Sequence, residues 1–127
     1  ILIIELIIGI TKMEKIAIAV RENGKKVEHF GKCEYFIIYK YDEKTHDIEY
    51  NNVIYSSKSH DTDSEEWEKS ADSIDGVNIV ICEKIGLKAK AEVERRGIKV
   101  IESEGFIEDI LDDFINKEIK KDKVILP

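Results

Sequence analysis

The chain is poor in the residues that staple or interrupt small folds. Its 127 residues include two cysteines, Cys33 and Cys82, and a single proline. Two distant cysteines in no C-x-x-C pair exclude a disulfide framework and a thioredoxin-type redox motif. Together with three histidines, His29, His46 and His60, they form none of the closely spaced ligand doublets of structural zinc modules. So little proline and only seven glycines also exclude a collagen-like or low-complexity chain. The longest apolar run, ILIIELIIGI at residues 1–10, is too short for a roughly 20-residue membrane span and has no basic flank like that of a secretory signal. Basic residues are the minority sign, 20 against 27 acidic ones, and the net charge of -7 opposes non-specific attachment to nucleic acid or an anionic membrane. An anionic ligand must therefore find a local basic pocket.

What is present describes one globular domain, 43% hydrophobic and 37% charged. A chain of this length removes roughly two thirds of its unfolded surface from water, so its core holds without metal or disulfide staples. Met13 opens a conventional start, and residues 1–12 read as an apolar appendage to a domain spanning 13–127. Unpaired thiols fit a reducing cytoplasm.

From Met13 the punctuation predicts alternating strands and helices. Ile16 to Val20 is a short apolar run, read as a central strand buried on both faces. Asn23-Gly24 signals a turn within an extended loop from Arg21 to Cys33. Tyr35 to Tyr41 and Ile48 to Tyr55 read as an antiparallel hairpin turning at Asp42 to His46. Thr62 or Asp63 can cap a helix bearing Trp67, Ala71 and Ile74, which ends at Asp75-Gly76. Val77 to Cys82 is a second buried strand. A helix striped by Ile85, Ala89 and Val93 stops at Gly97, and Ile98 to Ile101 supplies a fifth strand. A last helix from about Phe106 places Phe106, Ile107, Ile110, Leu111, Phe114 and Ile115 on one buried face.

The order β-β-β-α-β-α-β-α predicts an α/β fold, because hairpins join antiparallel neighbours and helix crossovers join parallel ones right-handed. Placing strand one beside strand four gives a five-stranded mixed sheet of order 3-2-1-4-5 with strand two antiparallel. By fold analogy this is a three-layer α/β/α, ribonuclease H-like arrangement. Strands one, three, four and five then end at one rim, where open α/β folds bind ligands. That rim receives Arg21, Lys25, Lys26, His29, Lys32 and Cys33 after strand one, His60 after strand three, and Cys82, Lys84 and Gly86 at the end of strand four. His46 falls at the opposite edge.

The segment KIAIAV, the motif His29-Phe30-Gly31 with Tyr35-Phe36 shortly after, and ICEKIGLKAKAEVERRGIKV resemble the dinitrogenase iron-molybdenum cofactor biosynthesis family over about Met13 to Leu126. The resemblance implies a ribonuclease H-like fold and a carrier of iron-sulfur cofactor precursors in nitrogenase maturation, with His29 contacting the cluster. Such a cluster already contains bridging sulfides, so one or two soft or borderline groups suffice to hold and release it. Cys33 and Cys82 are the possible second metal ligands, although the loop thiol serves equally as a small packing residue and the strand-end thiol reads first as a small buried hydrophobe. A cluster is commonly anionic, so Lys32, Lys84 and backbone N–H groups at the Gly86 helix entrance favour it. Phe30 and Gly31 complete the motif and with it the candidate cofactor-binding set, and Phe30 reads also as the hydrophobic anchor of its loop. Lys88, Lys90, Arg95 and Arg96 read as a solvated helix face.

The resemblance, with these residues, implies a non-catalytic carrier or scaffold for an iron-sulfur cluster or iron-molybdenum cofactor precursor, meeting a cofactor-assembly or recipient protein and neither nucleic acid nor membrane. A homodimer stays open. A nuclease would need carboxylates around divalent metal, and IAIAV carries none. A nucleotide-binding module would need G-x-G-x-x-G or G-x-x-x-x-G-K-[ST], both absent. The alternative is a cofactor-free regulatory or interaction domain of the same fold.

Overall fold

A computed structural model describes residues 13–56 and 66–125. The apolar run at 1–12, His60 and the expected cap at Thr62 or Asp63 lie outside the described residues. The elements are β1 (Met13–Val20), β2 (Tyr35–Asp42), β3 (Ile48–Tyr55), α1 (Glu66–Ser73), β4 (Ile79–Cys82), α2 (Leu87–Arg95), β5 (Lys99–Glu102) and α3 (Ile107–Ile125). The five strands form one mixed sheet ordered β3-β2-β1-β4-β5. β2 is antiparallel to both β1 and β3, while β1, β4 and β5 run parallel. Order and strand directions match the expectation.

β1 shows why the sequence chooses this sheet. Ile16 to Val20 is wholly buried, and alternate side chains enter different clusters, as the two-residue period of a strand requires. Ala17 and Ala19 face Ala71 and Ile74, at and just beyond the end of α1, and Ala89 and Val93 of α2, along with Phe36, Ile38, Val80 and Cys82. Ile16, Ile18 and Val20 face α3 through Ile107, Ile110 and Phe114, joined by Ile79 and Ile81. The small alanines leave room for two helices on one face, and the branched residues fill the space under the single helix on the other. Each fully buried Ile or Val contributes roughly 1.5–3 kcal/mol over leaving it in water.

The ends of the elements follow from local chemistry. The Asp42 carboxylate accepts the N–H groups of Lys44 at 2.8 Å and Thr45 at 3.3 Å, closing the β2–β3 turn. His46 ends that turn with φ 64° and hydrogen bonds through its ring to the Tyr41 hydroxyl, far from the rim. Arg96 caps α2, and Gly97 follows with φ 85°, a left-handed backbone that glycine adopts without strain. Arg95 and Arg96 do more than face solvent. Both guanidiniums hydrogen bond Glu92 and hold its carboxyl down at about 2. Arg96 also reaches Asp72 at 2.9 Å, tying α2 to α1.

Phe106 departs from its expected place on the buried stripe. It is 51% exposed, because α3 begins one residue later at Ile107 and the Phe106 ring projects beyond the helix end. Among the described residues, no helix is long and apolar enough to cross a membrane.

Candidate functional site

The ends of β1, β3, β4 and β5 share one rim with the start of β2, and the loop between β1 and β2 covers its centre. The loop opens on a turn in which the Gly24 N–H donates to the Arg21 carbonyl at 3.2 Å. Gly24 has φ 70°, and a Cβ there would sit 2.5 Å from the Tyr35 hydroxyl oxygen. That hydroxyl is itself held by donating to the Glu22 carbonyl at 2.9 Å. Gly24→Ala is therefore expected to destabilise the fold by about 1–3 kcal/mol through backbone strain and the displaced tyrosine, read as a lower urea midpoint.

Beyond the turn the chain is stitched to its surroundings. The Glu28 N–H donates to the Ala19 carbonyl at 2.8 Å, the Glu83 N–H to the Glu28 carbonyl at 2.9 Å, and the Phe30 N–H to the Lys84 carbonyl at 2.9 Å. The strip thus lies between the end of β1 and the segment leaving β4. Val27, Phe30 and Cys33 are all buried: every third residue turns inward. Val27 joins the α3-side cluster, while Phe30 and Cys33 join the other. Phe30 packs against Phe36 with ring centroids 5.9 Å apart. As expected it anchors the loop, and full burial keeps its ring from any ligand on the surface.

His29 is half-buried on this strip. Its N–H donates to the Glu28 carboxylate at 2.7 Å, its carbonyl accepts the Lys32 N–H at 3.0 Å, and its Nδ1 accepts the Gly31 N–H at 3.0 Å. Gly31 is not in the left-handed region, so backbone freedom is not what glycine supplies. Its place is beneath the imidazole, where an added Cβ would lie 3.6 Å from the ring. Lys32 and Lys84 are exposed, and neither enters an ion pair among the described residues. Gly86 caps α2 without a side-chain hydrogen bond, and the first turn of that helix holds no acidic residue. The positive end of the helix dipole is therefore uncompensated near Lys84.

The two thiols lie beneath the rim instead of on it. Cys33 and Cys82 are free and completely buried in the cluster under α1 and α2. The Cys33 thiol donates to the Phe30 carbonyl at 3.2 Å and lies 3.9 Å from the Ser70 hydroxyl. Burial, reinforced by Glu102 and Cys33 and opposed by Lys90, pushes the Cys82 thiol up to about 12. At neutral pH it is a packed, protonated sulfur and not a thiolate. Among the described residues, no group of three or more His, Cys, Asp or Glu side chains converges to hold a metal ion.

On the α3 side the rim carries a feature that spacing did not reveal. The Ile107 N–H donates to the Lys25 carbonyl at 2.9 Å, and Lys26 Nζ lies 5.2 Å from the centre of the Phe106 ring. A hollow of about 560 Å³ opens there, lined by Gly24, Lys25, Tyr39, Phe106 and the first turn of α3. Phe106 stands at helical spacing from Ile110, so only its position before the first helical residue distinguishes it from the core.

Known proteins share this architecture. The chain aligns with the apo form of the orange protein from Desulfovibrio gigas at a TM-score of 0.62 and 21% identity, over 84% of this chain and 91% of that one. It aligns with a candidate dinitrogenase from Methanocaldococcus jannaschii at a TM-score of 0.60 and 24% identity, over 85% and 93% of the two chains. Identities this low establish the shared fold alone. No curated protein matches. The dinitrogenase iron-molybdenum cofactor family model matches residues 13–117, nearly the whole described domain with its strip, its rim and both buried thiols, and the chain belongs to that family.

Proposed function

We propose that the protein is a non-catalytic carrier that holds an iron-sulfur cluster or iron-molybdenum cofactor precursor as cargo at His29 and passes it to an assembly or recipient protein in the cytoplasm. Membership of the family associates the chain with nitrogenase cofactor-related processes and with cofactor-binding and accessory proteins. The observation that carries the finer reading is a half-buried imidazole at the sheet rim, on a strip that carries Lys32 and is hydrogen bonded to the Lys84 backbone, lysines that enter no ion pair among the described residues, beside the uncapped start of α2, in a chain whose net charge is -7. Such a surface gathers an anion locally where the rest of the molecule repels it. A single side-chain contact also suits delivery, because four thiolates would retain a cluster. The helices packed on the two faces of the sheet support the three-layer, ribonuclease H-like reading of the fold. Cys33 and Cys82 become ligands in this scheme only if the strip lifts off the core.

The test is anaerobic incubation with a cluster donor, followed by gel filtration and metal analysis of the protein peak. Wild type is expected to carry iron or molybdenum, and His29→Ala to lose most of it. Metal that stays stoichiometric in the variant removes His29 from the site. A wild-type protein that accepts none from several donors leaves the cofactor-free regulatory domain as the better description.

A further inference from the structure

We infer that His29 meets its cargo as a hydrogen-bond donor, through Nε2–H to a sulfide, and not through a nitrogen lone pair on a metal. This inference rests on the carrier reading and specifies its chemistry. The Gly31 backbone N–H is a donor under all conditions, and it points at Nδ1 from 3.0 Å. Nδ1 must therefore present its lone pair. A neutral imidazole has one donor and one acceptor nitrogen, so the ring proton resides on Nε2. Among the described residues, Nε2 has no partner.

Coordination through Nε2 would require the proton to move to Nδ1, where two N–H groups would face each other and the Gly31 bond would be lost. Coordination through Nδ1 would require expelling that same N–H. Histidines that bind metals ordinarily have the other nitrogen donating to a carbonyl or carboxylate. Here the second group has the opposite polarity. An Nε2–H without a partner among the described residues, on a strip that carries Lys32 and hydrogen bonds the Lys84 carbonyl, suits an anion whose outer atoms accept hydrogen bonds, and the sulfides of a metal-sulfur cluster do so.

The experiment titrates the full chain with tetrathiomolybdate, a dianion with four outer sulfides. Glutamine keeps a donor near the Nε2 position and supplies no imidazole ligand. His29→Gln is expected to bind within about threefold of wild type, and His29→Ala to bind about tenfold or more weakly. Two-bond proton-nitrogen NMR should show a protonated Nε2 and a bare Nδ1 in the free protein and again in the complex. If the glutamine variant falls as far as the alanine variant, or the proton transfers to Nδ1 on binding, the ring is a metal ligand: donation is overturned and the carrier reading survives. If wild type shows no saturable binding, or if His29→Ala binds as tightly as wild type, the assignment of His29 to cargo falls, and donation with it.

Discussion

Replacing Phe30 with alanine is expected to lower the free energy of unfolding by about 3–5 kcal/mol, the cost of removing a buried aromatic ring from a packed core. The ring has no exposed surface, touches Phe36, and joins a cluster that α1, α2 and three strands also build. Its backbone N–H holds the strip to the Lys84 carbonyl, so the ring and the hydrogen bond fasten the same residue. Urea unfolding followed by the fluorescence of Trp67, which packs against that cluster, measures the loss. Phe30→Leu is expected to recover most of it, and cargo binding should weaken in Phe30→Ala because His29 is the next residue. A loss below about 1 kcal/mol would show that the strip is held by its backbone bonds alone.

The second large effect is a dependence of stability on alkaline pH. The Cys82 thiol rises from an ordinary 9.0 to about 12 in the folded protein. Between those values the unfolded chain gives up this proton while the folded chain keeps it, so the folded state binds more protons and stability falls as pH rises. The contribution is complete below pH 9 and lost by about pH 12, amounting to about 4 kcal/mol if the whole interval is realised. Urea midpoints measured across this window in wild type and Cys82→Ala separate the term from lysine and tyrosine titrations, because the variant lacks it. The same burial predicts that iodoacetamide labels Cys82 only as fast as the protein opens. Labelling at the rate of a free thiol in the folded protein would contradict the burial.

Much of this arrangement was legible before the coordinates. The run Ile16 to Val20, the hairpin turning near Asp42 and the stripe Ile85, Ala89, Val93 each have a period belonging to one kind of element, and strand order followed from connection rules. The rim placed His29 and Lys84 together for the same reason. Depth at the ends of elements was less accessible. Val80 and Cys82 share one face of β4, so alternation already directs the second sulfur into the core, but whether a last strand residue reaches the rim depends on what covers it. The cover is Phe30 and Cys33, brought there by loop hydrogen bonds that no period encodes. Phe106 shows the converse error: helical spacing implies burial, yet the helix starts one residue later and the ring meets Lys26. The link from Arg96 to Asp72 joins residues 24 positions apart, beyond the reach of any local pattern.

The inward placement of Val27, Phe30 and Cys33 divides the loop into fasteners and fittings. Glu28, His29 and Lys32 lie between the fasteners, and their side chains can be exchanged while the hinge points stay bolted. The chemistry of the rim can therefore be altered through a few neighbouring codons, without renegotiating the hydrophobic interior on either side of the sheet.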